Sequence, residues 1–122
     1  GSSRLVVVQK IYERISDSQH PISFPKSSYI RIIKKVFNGF FDKEKELDEI
    51  LSQNLSEKAV LKFRHDSKNH SKAAIFEIEY LPKVPFKVVI DEYLAVTEMY
   101  YESGQKGLVN AVLDSVFKSK SR

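Results

Sequence analysis

Cysteine is absent from the chain, which excludes disulfides and thiolate-bound metals. No apolar run approaches the roughly 18 residues that cross a bilayer, and no export signal is visible. A cytoplasmic protein without a membrane partner is therefore expected. The patterns Asn54-Leu55-Ser56 and Asn69-His70-Ser71 match glycosylation acceptors, which carry no weight without secretion. Glycine and proline are scarce, at four each. Gly104 and Gly107 lack the preceding strand and the Lys-Ser/Thr of a phosphate loop. The three histidines, His20, His65 and His70, show no metal-ligand spacing, because residues five apart do not share a helix face. All three are expected to be solvated loop residues. Asp91 and Glu92 are adjacent and diverge by roughly 100° on a helix, too far to work as an acid/base pair. No serine sits in a nucleophile-elbow sequence. The expectation is a protein that is not an enzyme and takes neither metal nor cofactor.

What is present suits one folded domain. The 122 residues are enough to bury a core, and an apolar fraction of 42% with 11% aromatics argues against disorder. The opening Gly1-Ser2 reads as a cleavage scar, leaving a single domain over residues 3–122. The net charge of +4 is unevenly spread. Residues 1–40 hold seven bases against two acids, residues 41–55 reverse this with two against five, and residues 89–105 hold four acids and no base. Such alternation permits a basic surface beside an acidic one, suited to an anionic polymer and a basic protein partner. It is equally the pattern of solvated helix faces.

Helical periodicity runs almost throughout. Leu5, Val8, Ile11, Tyr12 and Ile15 share a face and predict a helix over residues 3–17. Pro21 and Pro25 break continuation. Ser27 or Ser28 can cap a long helix to Leu55, with Ile33, Phe37, Phe40, Phe41, Leu47 and Leu51 inward. Gly39 within it costs about 1 kcal/mol relative to Ala, which points to close packing or a bend. A short helix is expected over residues 56–63, a polar loop over 64–70, and a helix over 71–81. Pro82 and Pro85 set up another helix with Phe86, Ile90, Tyr93, Leu94, Thr97 and Tyr101 in a stripe. Residues 103–107 read as a turn. The runs VVV (6–8) and KVVI (87–90) have strand character but sit in longer helical patterns and are read as helix. The fold class is an all-α bundle of six or seven helices.

In the closing helix KGLVNAVLDSVF (106–117), Leu108, Val109, Val112, Leu113, Val116 and Phe117 form a broad apolar face, with Asn110 and Asp114 along its edge. That edge is either a boundary pair at i,i+4 spacing or a surface that meets a partner.

The stretch Val84-Pro85-Phe86-Lys87-Val88-Val89-Ile90-Asp91-Glu92-Tyr93, followed by Leu108-Val109-Asn110-Ala111-Val112-Leu113-Asp114, resembles the NusB family of bacterial transcription antitermination factors. Members show D-V-P-x-K-V-x-I-N-E-A and then F-V-N-G-V-L-D. VVVQKIY (6–12) is similar to that family's A-V-Q-A-L-Y helix and keeps Gln9 and Tyr12. Gly39 with Leu47-Asp48, and SKAAIFEIEYL (71–81), are collinear with further family segments.

The resemblance implies two packed three-helix halves. It also implies binding of the boxA element of ribosomal RNA leader transcripts together with the ribosomal protein NusE, within the RNA polymerase antitermination complex. Carried over by position, Arg4, Tyr12, Lys106 and Leu108 would face RNA. Asn54, Ser71 and Phe76 would lie on the partner-binding side. A tyrosine at an apolar helix position is equally a core residue with its hydroxyl reaching water. Leu108 stands where the family has Phe, Ser71 where it has Glu, and Phe76 where it has Arg. Only Arg4 remains of the N-terminal arginines, so RNA binding should depend weakly on salt. Lys26, Arg31, Lys34 and Lys35 could compensate or form a solvated face. An alternative of the same fold is a protein-interaction adaptor with little RNA affinity. Asn110 is expected to bond a loop backbone near residues 104–107.

Overall fold

The computed structural model describes residues 3–100 and 103–120. Gly1-Ser2 and Tyr101 lie outside them. Seven helices follow in order: α1 (Ser3–Ser16), α2 (Ile30–Asp42), α3 (Glu44–Gln53), α4 (Glu57–Lys62), α5 (His65–Tyr80), α6 (Phe86–Tyr100) and α7 (Ser103–Lys120). The described residues contain no strand. Both Val-rich runs are helical, as their surrounding periodicity requires.

The helix α5 is the axis of the fold. It lies against α1, α2, α3, α6 and α7, and residues 69–78 are buried without interruption. This corrects the polar loop expected over residues 64–70, which forms the first turns of α5. Ser67, Asn69 and His70 read as loop residues because they are polar. Surrounding helices bury them instead, and Ser71 Oγ donates back to the Ser67 carbonyl at 2.8 Å. Lys72 reaches out between α3 acids, 2.8 Å from Asp48 and 3.7 Å from Glu44, and its ammonium lies over the Phe40 ring. His70 is likewise fully buried, not a solvated loop histidine.

The long helix expected to run to Leu55 is two helices, divided at Lys43. The Lys43 N–H still donates to the Gly39 carbonyl at 2.9 Å, and the Leu47 N–H to the Lys43 carbonyl at 2.9 Å. Backbone hydrogen bonding therefore continues across the division. Gly39 is not the break. A Cβ there would overlap the tip of the Phe76 ring, so the glycine lets α2 press against α5.

Ser56 caps α4, its Oγ accepting from the Ala59 N–H at 3.1 Å. Pro85 opens α6, its carbonyl accepting from the N–H groups of Val88 and Val89. The helix α7 begins at Ser103, so the expected turn over residues 103–107 is helix. Gly104 and Gly107 are exposed with open space around them. Val109, Val112, Leu113 and Val116 form the buried face of α7, while Phe117 stacks on Phe86 at 4.1 Å. Asn110 is exposed, and the loop it was expected to bond is the first turn of its own helix. Asp114 pairs with Lys118 at 2.9 Å.

Candidate nucleic-acid interface

The first-helix arginine faces inward. Arg4 is 6% exposed, and its guanidinium grips the Glu77 carboxylate of α5 with Nε and Nη2. The Tyr93 hydroxyl of α6 donates to the same carboxylate. Burial opposes the Arg4 charge, but the Glu77 hydrogen bond and charge outweigh it and its pKa ends raised. Burial, reinforced by the Glu77 charge, also raises the Tyr93 phenol well above its usual range. The trio ties three helices together. Breaking such a buried pair on one side typically costs about 3–5 kcal/mol.

Two turns further along α1, Tyr12 is half-buried. Its hydroxyl meets His70 Nε2 at 2.8 Å, and His70 Nδ1 lies 3.1 Å from Thr97 Oγ1. The Thr97 hydroxyl donates its proton to the Tyr93 carbonyl at 2.8 Å, so Oγ1 can only accept from the ring. His70 is therefore protonated at Nδ1, and its Nε2 accepts from Tyr12. Burial lowers the His70 pKa to about 4, against a weaker upward pull from Asp66. The neutral ring matches this bonding. Tyr12 is thus aimed by a chain of hydrogen bonds, and its ring meets that of Tyr100 edge-on at 5.6 Å.

Tyr100 ends α6 and is 38% exposed, next to Met99 at 67%. On the same closing stretch of α6, Glu98 pairs with Lys106 of α7 at 3.2 Å. The end of α6 therefore joins Tyr12 and Lys106 into one surface, from which Arg4 is removed. Leu108 is half-buried against the core. Arg14 reinforces the rim, donating to the Ser18 carbonyl at 2.8 Å.

The residues expected to meet a protein partner are internal or structural. Ser71 is fully buried and Phe76 is 6% exposed, so neither offers surface. Asn54 is half-buried at the end of α3. It donates to the Ile50 carbonyl at 2.8 Å and accepts from Ser115 Oγ of α7 at 2.7 Å. It also borders a groove of about 220 Å³ with Ile50, Glu79, Val116 and Lys120. Beside it α3 presents exposed acids at Glu44, Glu46, Asp48 and Glu49.

Sequence reasoning missed Tyr100 and His70. Tyr100 follows Tyr93 by seven residues, a helical spacing that would have found it. Nothing in the sequence distinguishes His70 from a loop histidine until α5 is known to be central. Among the described residues no cluster of His, Asp or Glu could hold a metal ion, and no helix is long and apolar enough to cross a membrane.

The solved structure of NusB from T. maritima superposes with a TM-score of 0.80 over 95% of this chain and 88% of that one, at 17% identity. The chain is 36% identical over 85 residues to the transcription antitermination protein NusB of Bartonella tribocorum, covering 68% of this chain and 54% of that protein. It is 28% identical over 86 residues to the same-named protein of Syntrophomonas wolfei, covering 70% and 64%. It is 30% identical over 102 residues to that of Rickettsia akari, covering 83% and 63%. The matched stretch thus spans somewhat over half the length of these relatives. The model of the NusB family matches residues 3–118, and the chain belongs to that family.

Proposed function

We propose that the chain is a transcription antitermination factor that binds boxA-type RNA together with NusE, in the cytoplasm where transcripts are made. The relatives' shared name supports the role. The observation that carries the RNA part is the Tyr12–Tyr100 aromatic pair at the end of α6, with Lys106 beside it. Exposed tyrosine edges give unpaired bases something to stack on, and a neighbouring ammonium meets the phosphate. Leu108 adds apolar contact at the margin, and Arg4 supports the surface from within through Glu77. For NusE, a ribosomal protein, the exposed Glu46 and Glu49 of α3 with the groove at Asn54 offer the complementary charge.

Titration of a boxA RNA with and without NusE, by anisotropy at several salt concentrations, tests the reading. Binding is expected to need NusE for full strength and to show a shallow slope of log K on log[salt]. Each phosphate contact contributes only about −0.7 to that slope on a single strand. The double variant Y12A/Y100A should lose most of the RNA affinity, at about 1–3 kcal/mol per stacked base. A steep slope, or full affinity in the double variant, would contradict the proposed surface. The internal placement of Arg4 favours one second reading, an adaptor of the same fold. That protein would bind NusE and ignore the RNA in the same titration.

A further inference from the structure

A second surface lies away from Tyr12, between α2 and the α5–α6 connection. A groove of about 560 Å³ is lined by Arg31, Ile32, Lys35, Tyr80, Leu81 and Lys83, among others, and contains no acid. It continues through Lys35 and Tyr80 into a second lobe of about 320 Å³ beside Gly39, where Asp42 is the one acid in the lining. Arg31, Lys35 and Lys83 are exposed, and among the described residues no carboxylate lies within salt-bridge distance of them. Elsewhere Lys10, Lys72, Lys87, Lys106 and Lys118 each have an acidic partner. The groove thus combines an aliphatic floor with a rim of unneutralised cations.

We propose that this groove docks an acidic, leucine- or phenylalanine-bearing segment of a partner protein. Apolar side chains would cover Ile32, Leu81 and Val84, and carboxylates would meet Arg31, Lys35 and Lys83. The floor decides against single-stranded nucleic acid. Tyr80 is the aromatic ring of the larger lobe, and it is already stacked on Phe76 at 5.2 Å and 25°. The Lys43 ammonium also sits over it at 5.4 Å. Tyr80 is 39% exposed, but a base stacking on it would have to displace Lys43, whereas aliphatic side chains find matching surface in the groove as it stands. The elongated two-lobed outline suits a chain segment better than a compact ligand. The rim charges steer and select an acidic partner.

The test uses the full chain and a short fluorescein-labelled peptide alternating leucine with glutamate. Matched peptides carry serine for leucine or lysine for glutamate, and a single-stranded oligouridylate serves as the nucleic-acid probe. The acidic leucine peptide should bind and shift the amide resonances of Arg31, Lys35 and Leu81. Its affinity should fall at least about tenfold, the equivalent of about 1.4 kcal/mol, in the double variant K35E/K83E. The same variant should gain affinity for the lysine peptide, a result that loss of folding could not produce. The serine peptide should bind at least about tenfold more weakly than the leucine one. Binding that ignores K35E/K83E, no binding of the acidic peptide, or oligouridylate as the ligand displaced by that variant would each overturn the proposal. So would a dimer in sedimentation that the variant dissolves, since a second copy would then occupy the groove.

Discussion

His70 accepts a hydrogen bond from Tyr12 and gives one to Thr97, so the bonding requires a neutral ring. A histidine whose pKa falls from 6.5 to about 4 on folding binds fewer protons in the folded state than in the unfolded chain between those values. Its contribution is complete above about pH 6.5 and is lost as the pH falls toward 4. The loss amounts to about 3 kcal/mol, from 1.36 kcal/mol for each unit of pKa. Urea unfolding at several pH values should therefore show the native protein losing stability on acidification relative to His70→Gln. Parallel pH profiles of the two proteins would disprove the assignment. Tyr100 and Asp66 face the same ring and are unchanged in the variant. Arg4 teaches a related lesson. The N-terminal cation that position alone assigns to RNA is held by Glu77, because a guanidinium close to a buried carboxylate is stabilised by the pairing.

Periodicity locates the helical regions of the chain but merges α2 with α3. The start of α5 reads as loop because its residues are polar, and the boundary between α2 and α3 leaves no mark because apolar spacing continues across Lys43. In both places contacts from other helices override local pattern. The role of Gly39 is decided in the same way, by the Phe76 ring of α5. Gly39→Ala should destabilise the protein by up to about 2 kcal/mol. Overpacking costs about 1–3 kcal/mol and outweighs the roughly 1 kcal/mol that alanine gains in helix propensity. Adding Phe76→Leu should cost less in the alanine background than in the native protein, a coupling visible in a double-mutant cycle. Additive effects would mean that the ring and the glycine do not meet.

For the molecule as a whole, a single central helix carries the stability. The helix α5 contacts five others and is buried over residues 69–78, whereas α4 buries no residue fully. Hydrogen exchange should therefore find the amides of Ala73 to Ile78 open only with global unfolding, and those of α4 exchanging first. Equal protection in α4 and α5 would contradict a core built around α5. From composition and spacing alone came the all-helical class and the apolar faces of α2, α6 and α7. The family likeness came from two motifs in the C-terminal third. These are local properties, set by backbone hydrogen bonding every fourth residue and by which side chains avoid water. Which cations stay free, which tyrosine is aimed outward and which histidine is neutral depend on groups brought together from distant positions: Arg4 with Glu77, Tyr12 with His70, Lys106 with Glu98. Charge and hydrogen bonding act through space, so which side chains stay free at the surface was decided only when the helices closed on one another.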